Sequence, residues 1–167
     1  MIATPEVVQH IEATKEGKFA YWGPILKAGA PSQIVVPRAI EDKTIKLEGE
    51  KIEIKAPGKY ASYLWVPSNR TILGGVGLSS GIHLWTADAQ TKEARDEWRK
   101  TVKQMNRLRP HAVIPGHYMG EIPSGTKAID FTYQYLVDVD KVLKEHKNSA
   151  SVIAALKEKY PNLAEES

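Results

Sequence analysis

The 167-residue sequence contains no cysteine, which excludes disulfide bonds, thiolate zinc sites and cysteine nucleophiles together. It has no apolar run close to the roughly 20 residues that cross a bilayer. Residues 1–5 show neither the basic nor the apolar region of a secretory signal. We therefore expect a cytoplasmic protein with no membrane partner.

The sequence also has little excess charge of either sign. Its 23 Lys and Arg residues oppose 20 Asp and Glu residues, which leaves a net charge of +3. This balance gives little support to nucleic acid as a partner. The 42% of hydrophobic residues is typical of a globular protein, and the length suits a single domain over residues 1–167.

The amino-terminal residues predict a helix. Thr4 suits a helix N-cap, Pro5 suits the first helical position, and Gly17 is a plausible stop. We expect this helix over residues 5–16. Three aromatic residues that follow it are expected to pack in the core or against the neighbouring helix: Phe19, Tyr21 and Trp22.

The middle of the sequence predicts two β-hairpins. Residues 44–47 and 51–55 alternate apolar and charged side chains with period two, and a glycine-containing turn separates them. Residues 63–66 and 71–73 form a second pair with nearly continuous apolar side chains. A continuous apolar run is typical of a strand buried on both faces, so this pair is expected at the centre of a sheet.

The carboxy-terminal part predicts three helices and one strand: a helix over 91–109, a buried strand over 111–115, a helix from Thr126 and a last helix over 149–160. The order of elements is that of an α+β protein. Asp138 and Asp140 are two positions apart, do not share a helix face, and are expected to be solvated. Core-facing side chains of the last two helices are expected at Ile129, Tyr133, Leu136, Leu143, Val152, Ile153, Leu156 and Tyr160.

Two of the five histidines follow a strand or a glycine-rich loop. His83 comes after a run of glycines, and His117 comes directly after the strand that ends in Ile-Pro-Gly. Rigid scaffolds often place functional side chains where strands end. The other histidines are explained as surface or strand-edge residues: His10, His111 and His146.

The segment Val-Ile-Pro-Gly-His-Tyr at 113–118 resembles the last metal-ligand motif of the metallo-β-lactamase superfamily. The long helix over 91–109 precedes it, as it does in that family. The double hairpin over 47–73 looks like the middle strands of the fold, and residues 124–136 look like its terminal helix. The whole chain thus resembles the second half of the family's fold, so we expect a truncated member.

The resemblance implies zinc, but the sequence departs from the ligand pattern. The His-x-His-x-Asp-His loop of the family's first half is absent. Lys59 stands where a ligand histidine is expected, and Gly75 stands where a ligand aspartate is expected. Only His117 matches a ligand position, and even an open catalytic zinc site has three protein ligands. We therefore expect no bound cofactor.

A different metal site could in principle use residues that remain. Two imidazoles and one carboxylate, from His83, His117 and Asp88, are chemically acceptable zinc ligands, but their spacing matches no metal motif. Asp88 is equally well explained as a cap of the helix over 91–109. These three residues are the only candidate metal ligands that we retain.

The resemblance implies half of an αββα sandwich, with a mostly antiparallel sheet and helices on one face. Because the central strands carry apolar residues at successive positions, the other face of the sheet should be apolar too. An uncovered apolar face of this kind exceeds the few hundred Å² that soluble monomers usually expose. We therefore expect an obligate homodimer joined through that face.

The function expected from these features is assembly, with small-ligand binding and without independent zinc-hydrolase activity. The candidate ligand site is a cleft with one polar group among aromatic side chains: His117, His83, Tyr118, Trp85 and Trp65. One alternative is a metal-dependent hydrolase whose site is completed by a second chain. A second alternative is a nucleic-acid-binding module, which the basic pI favours.

Overall fold

The computed structural model describes residues 1–57 and 61–164. The chain forms two compact units, Met1–Lys43 and Thr44–Ser167. None of the helices in the described ranges is both long enough and apolar enough to cross a membrane. The expectation of one domain over residues 1–167 stays a prediction.

The amino-terminal unit pairs two short strands in parallel and contains one long helix. Strand β1 (Ile2–Ala3) pairs with β2 (Arg38–Ala39), and α1 extends over Pro5–Leu26. The predicted helix end at Gly17 is wrong, because one glycine costs a helix only about 1 kcal/mol and does not stop it. Helix α1 has no buried residue.

Core packing of Phe19 and Tyr21, in the extended part of α1, is also not observed, whereas Trp22 is half-buried. Phe19 is 38% exposed and Tyr21 is 57% exposed. Both side chains now lie on a helix rather than on a chain that crosses the core. The rings of Tyr21 and Trp22 are perpendicular to each other, with centroids 5.1 Å apart, so these aromatic residues contact one another locally.

A five-stranded sheet forms the centre of the second unit. Its strands are β3 (Thr44–Leu47), β4 (Glu50–Lys55), β5 (Tyr63–Val66), β6 (Thr71–Leu73) and β8 (Ala112–Ile114), in that order across the sheet. The first four are antiparallel, and β8 is parallel to β6. The two predicted hairpins are confirmed, and β5 lies at the centre as expected.

The first hairpin has the tight turn that its sequence favours. Glu48 and Gly49 both have positive φ, +52° and +87°, which is the backbone of a type I′ two-residue turn. Glycine adopts this conformation without steric cost. The turn fixes the register in which Ile45 lies opposite Ile52.

Three helices follow: α2 (Lys92–Arg107), α3 (Lys127–Glu145) and α4 (Ser149–Lys159). Helix α2 begins after Thr91, whose Oγ1 accepts a hydrogen bond from the backbone N–H of Ala94 at 3.2 Å. Thr91 is therefore the N-cap of α2, and the capping role considered for Asp88 is not observed.

The hydrophobic core lies between one face of the sheet and helices α2 and α3. Sheet side chains that point to the helices include Trp65, Ile72 and Val113. Val102 and Ile129 come to meet them from α2 and α3. The expected α+β architecture, with helices packed on one sheet face, is confirmed.

The other face of the sheet is aliphatic. Cross-strand pairing places Ile54 beside Leu64, Leu64 beside Leu73, and Leu73 beside Ile114. These four residues are neither buried nor fully exposed. We call the half-buried aliphatic side chains of this face the aliphatic face: Ile45, Ile52, Ile54, Leu64, Val66, Leu73 and Ile114.

Helix α3 lies between α2 and α4, so carboxylates on two of its sides are covered. Asp140 accepts hydrogen bonds from Arg95 Nε at 2.6 Å and from Arg99 Nη1 at 2.5 Å, both on α2. Asp138 is 2% exposed and accepts a hydrogen bond from Tyr160 Oη at 2.7 Å. The prediction that both aspartates are solvated is wrong, because two different helices cover the two sides of α3.

Two apolar residues predicted to face the core are exposed instead. Leu143 on α3 is 41% exposed and Ile153 on α4 is 51% exposed. Both residues line the same groove between α3 and α4. They therefore leave apolar surface at the junction of α3 and α4.

Candidate functional site

The segments that follow β6 and β8 pair as two short parallel strands. One of them leads to His83 and the other contains His117. Strand β7 (Ser79–Ser80) lies beside β9 (His117–Tyr118), with Ser79 opposite His117 and Ser80 opposite Tyr118. The chain reaches β7 from β6 and reaches β9 from β8. The exits of two adjacent strands of the main sheet therefore stay together beyond its edge.

Two glycines bring these exits into close contact. The Gly116 N–H donates a hydrogen bond to the carbonyl oxygen of Gly75 at 3.0 Å. A Cβ atom at Gly116 would lie 2.3 Å from that same oxygen, so a side chain does not fit there. The glycine immediately before His117 is required by backbone packing.

The segment before β7 is anchored to the helices. Trp98 Nε1 donates a hydrogen bond to the carbonyl oxygen of Gly77 at 2.8 Å. The backbone N–H of Ser79 donates to Thr132 Oγ1 at 3.1 Å, and the same hydroxyl lies 3.2 Å from the Ser79 carbonyl oxygen, to which it donates. The glycine-rich stretch is thus tightly turned and held by α2 and α3.

His83 is held by backbone and side-chain hydrogen bonds. Its backbone N–H donates to the carbonyl oxygen of Ala164 at 2.9 Å. A hydrogen bond of 2.7 Å joins its Nδ1 atom to Tyr135 Oη on α3. Burial raises the pKa of Tyr135 to about 12, so the phenol keeps its proton at neutral pH. The imidazole therefore has a fixed orientation beside a neutral partner.

The ring of Tyr135 continues into a cluster that closes the space behind His83. Its centroid lies 4.9 Å from that of Tyr160 and 5.8 Å from that of Phe131. Burial tends to raise the pKa of Asp138, but hydrogen bonds from Tyr160 and Gln134 outweigh it and hold that pKa below its ordinary value. Asp138 is therefore ionised at neutral pH and fixes the position of Tyr160.

A groove of about 940 Å³ opens in front of His83, between the chain that follows β7 and the junction of α3 with α4. Buried or half-buried side chains that include Tyr135, Val139 and Leu156 line it. We call it the α3–α4 groove. Its lining is His83, Leu84, Trp85, Thr86, Tyr135, Val139, Leu143, Lys144, His146, Lys147, Asn148, Ser149, Val152, Ile153, Leu156 and Lys157.

The charge of this groove has one sign. Three lysines line it, Lys144, Lys147 and Lys157, and no Asp or Glu is among its lining residues in the described ranges. The amino end of α4 also reaches the groove, where Asn148 Oδ1 accepts a hydrogen bond from the Ser151 N–H at 2.9 Å. A helix amino end carries partial positive charge. The groove is therefore apolar with a cationic rim.

The five predicted ligand residues fall in different places. His83 and Trp85 line the α3–α4 groove. Trp65 is 8% exposed and belongs to the core between sheet and helices, while His117 and Tyr118 lie on β9 and are not among the groove residues. The structure brings together one histidine and one tryptophan of the set, and ligand binding by these residues stays a prediction.

The residues present do not fit a zinc ion of the kind that the resemblance implies. Within residues 1–57 and 61–164, no three His, Asp or Glu side chains come together as a metal-binding group. His83, Asp88 and His117 therefore do not form one. At the family's ligand positions, Gly75 has no side chain, and Lys59 lies outside the described residues. Only the imidazole of His117 remains there.

Sequence reasoning missed Tyr135 and the groove lysines. Tyr135 is the partner of His83, and Lys144 and Lys147 form part of the cationic rim. The sequence contained one signal of an apolar helix surface here. Val139 and Leu143 on α3 are four residues apart, so they share a helix face, and Leu143 lies near the end of the helix. Their pairing with α4 across a groove depends on the angle between two helices, which spacing does not give.

Comparison with known proteins supports the fold. No protein-family model matches the sequence, and no curated protein matches it significantly. Among solved structures, the chain is similar to the metallo-beta-lactamase IND-7, with 20% identity, a TM-score of 0.54, and coverage of 81% of this chain and 56% of that one.

Two further structures show the same likeness. The metallo-beta-lactamase from Pontibacter korlensis has 16% identity and a TM-score of 0.51, over 77% of this chain and 62% of that one. A metallo-beta-lactamase family protein from Thermus thermophilus has 11% identity and a TM-score of 0.53, over 86% of this chain and 52% of that one.

The chain has a partial metallo-β-lactamase fold. It spans between 52% and 62% of the length of these three structures. The sequence resemblance is therefore confirmed at the level of fold. Identities of 11–20% show the fold alone, so the activity of the chain has to be argued from its own residues.

Proposed function

We propose that this protein has no zinc-hydrolase activity of its own and acts by forming a homodimer and binding a small molecule. The aliphatic face of the sheet is the observation that carries the proposal. Four adjacent strands contribute to it a continuous row of branched aliphatic side chains in register: Ile54, Leu64, Leu73 and Ile114.

The resemblance supports a second sheet as the natural cover for this face, since the complete fold packs two sheets against each other. A second copy of the same chain would present the same face about a two-fold axis. Sheets pack face to face about 10 Å apart with their strands nearly aligned. A closed symmetric pair also leaves no face open for further growth.

The size of the face decides how tight such a dimer is. A half-buried aliphatic side chain keeps roughly 40 Å² accessible, so the seven residues of the aliphatic face present roughly 280 Å² per copy. Burying roughly 560 Å² in the pair stabilises it by on the order of 14 kcal/mol. Association costs about 4–15 kcal/mol. Subtracting this cost leaves between about 0 and 10 kcal/mol, a range that includes the roughly 8 kcal/mol of a micromolar dimer. We take the micromolar range as the expectation, which is weaker than the obligate dimer that the sequence alone suggested.

The residues at the family's ligand positions support the non-hydrolytic part of the proposal. Gly75 offers no side chain, and His117 supplies one imidazole. Protein purified without added metal should contain no stoichiometric zinc by elemental analysis. One zinc ion or more per chain, with hydrolysis of a lactam, thioester or phosphodiester that disappears in His117→Ala, would contradict this part.

Sedimentation equilibrium at concentrations from the low to the high micromolar range tests the assembly. We expect the apparent mass to rise from 18.6 kDa toward twice that value as the concentration increases. Ile52→Lys places a charge on the aliphatic face near the edge of the sheet and should keep the protein monomeric. Val76→Lys, at a residue 76% exposed outside that face, is the matched control and should dimerise normally.

Far-UV circular dichroism of both variants separates loss of dimer from loss of fold. A wild-type protein that stays at 18.6 kDa throughout this concentration range would refute assembly through this face. The same conclusion follows if folded Ile52→Lys protein dimerises like the Val76→Lys control.

A further inference from the structure

The α3–α4 groove combines exposed apolar side chains with a positive rim. Three large apolar residues that line it are strongly exposed: Trp85 and Leu143 at 41%, and Ile153 at 51%. Isolated exposed apolar residues are ordinary, but several around one concave space indicate a surface that binds something apolar. Part of the occupant must therefore be apolar.

The rim restricts what the rest of the occupant can be. Lys144 lies in the last turn of α3, Lys147 lies in the segment that joins α3 to α4, and Lys157 lies on α4. Among the described residues, no Asp or Glu lines the groove beside Lys144 and Lys147. An anionic group is stabilised here, and a cationic group is repelled.

The floor of the groove is rigid enough to define a shape. The hydrogen bond between His83 and Tyr135 fixes one wall, and the rings of Tyr135 and Tyr160 pack at 4.9 Å behind it. A volume of about 940 Å³ is at the upper end of the range for small-molecule sites. A preformed floor also lowers the ordering cost of binding.

We propose that the α3–α4 groove binds a small amphipathic carboxylate, an alkyl or aryl body with one terminal carboxylate. The body packs on Trp85, Leu143 and Ile153, and the carboxylate lies toward Lys144 and Lys147. The inference names the ligand class for the small-molecule part of the proposed function, on which it rests. It does not depend on the dimer.

Isothermal titration calorimetry with decanoate, below its micelle concentration, tests the assignment. Decylammonium and decanol have the same chain length with a positive or no charge. We expect decanoate to bind with a dissociation constant below about 1 mM and at least about tenfold tighter than either comparison compound. Affinity should fall as salt is raised from about 20 to about 500 mM, because salt screens an exposed ion pair.

Matched variants test which groove residues contact the carboxylate of the ligand and which contact its apolar body. Lys144→Gln with Lys147→Gln should weaken decanoate about fivefold, since each exposed ion pair contributes modestly. The control pair, Lys46→Gln with Lys127→Gln, removes the same charge from exposed positions elsewhere. It should change affinity less than about twofold.

The apolar half is tested by Ile153→Ser, which should weaken binding about tenfold. Its control is Ile122→Ser, because Ile122 is 50% exposed and lies outside the groove. Both changes are at exposed positions, so the fold should tolerate them. The control should bind decanoate like the wild type.

Amide chemical-shift mapping locates the site independently. Shifts induced by decanoate should centre on residues 83–86 and 143–157. The proposal is overturned if decanoate does not bind at millimolar concentration, if decylammonium binds as well, if groove variants bind like their controls, or if the shifts centre on β5 and β6. Sedimentation of the same samples reports the dimer separately, so failure of one proposal is distinguishable from failure of the other.

Discussion

Replacing Asp140 by asparagine should strongly destabilise the protein, because its carboxylate neutralises two poorly exposed arginines. The side chain of Arg95 is 7% exposed and that of Arg99 is 15% exposed, and both donate hydrogen bonds to Asp140. Removing one partner of a buried ion pair usually costs about 3–5 kcal/mol, since a charge remains without compensation.

The lower end of that range applies here. Arg95 Nη1 also donates to the carbonyl oxygens of Ala89 at 3.0 Å and Gln90 at 2.7 Å, and Arg99 Nη1 donates to that of Leu136 at 3.1 Å. These bonds remain in the variant. We expect the free energy of unfolding to fall by about 3 kcal/mol, a large part of the roughly 5–15 kcal/mol typical of a domain.

Urea unfolding followed by circular dichroism measures this loss. With a urea m-value of about 1.5 kcal/mol/M, the midpoint should fall by about 2 M. The matched control is Asp96→Asn, because Asp96 also pairs with Arg99 but its side chain is 36% exposed. An exposed pair contributes about 1 kcal/mol or less. Equal effects of the two changes would refute the argument from burial.

The pH dependence of the stability difference between wild type and Asp140→Asn gives a second check. Burial tends to raise the pKa of Asp140, but hydrogen bonds from Arg99 and Arg95 outweigh it and hold that pKa below its ordinary value. A lowered carboxylate pKa stabilises the folded state above the unfolded pKa of about 3.9. That stabilisation is lost as the pH falls through the lower folded value. The difference between wild type and Asp140→Asn should therefore be complete above about pH 5 and shrink below about pH 4.

Three further outcomes are expected. Gly116→Ala should lower the free energy of unfolding, measured in urea, by at least about 2 kcal/mol, because its Cβ would overlap the Gly75 carbonyl oxygen. Unchanged stability would show that the segments around Gly75 and Gly116 can move apart. Tyr135→Phe removes the hydrogen bond to His83 and should cost about 1 kcal/mol, with an altered imidazole signal in the NMR spectrum; an unchanged signal would contradict the contact. Tyr160→Phe leaves Asp138 without its hydroxyl donor and should cost about 1–3 kcal/mol at neutral pH, a loss that should diminish in acid as the carboxylate is protonated.

The sheet was predictable because its signals are local. Period-two alternation over residues 44–55 and the glycine turn between its strands define the first hairpin without reference to the rest of the chain. The end of α1 was not predictable in the same way. Gly17 disfavours helix only weakly, and the continuation to Leu26 is decided by the residues around it.

The candidate site was predictable only in part, because it depends on how helices pack. The strand-exit argument located His83 and His117, and His83 indeed lines a groove. That Asp138 and Asp140 are both covered follows from the position of α3 between two other helices, which is a tertiary fact. Leu143 and Ile153 are apolar helix residues in the sequence, and only the packing of α3 against α4 makes them exposed groove residues.

The contact between Gly116 and Gly75 changes how the Pro-Gly-His segment can be interpreted in chains of this fold. Because a Cβ atom at Gly116 would overlap the Gly75 carbonyl oxygen, backbone packing requires this glycine whether or not a metal ion binds nearby. The segment by itself therefore indicates how the two strand exits pack, and does not indicate whether a metal ion binds. In this chain the residue that faces Gly116 across the contact is Gly75, which has no side chain to ligate a metal ion. The segment is best interpreted together with the residue at that facing position.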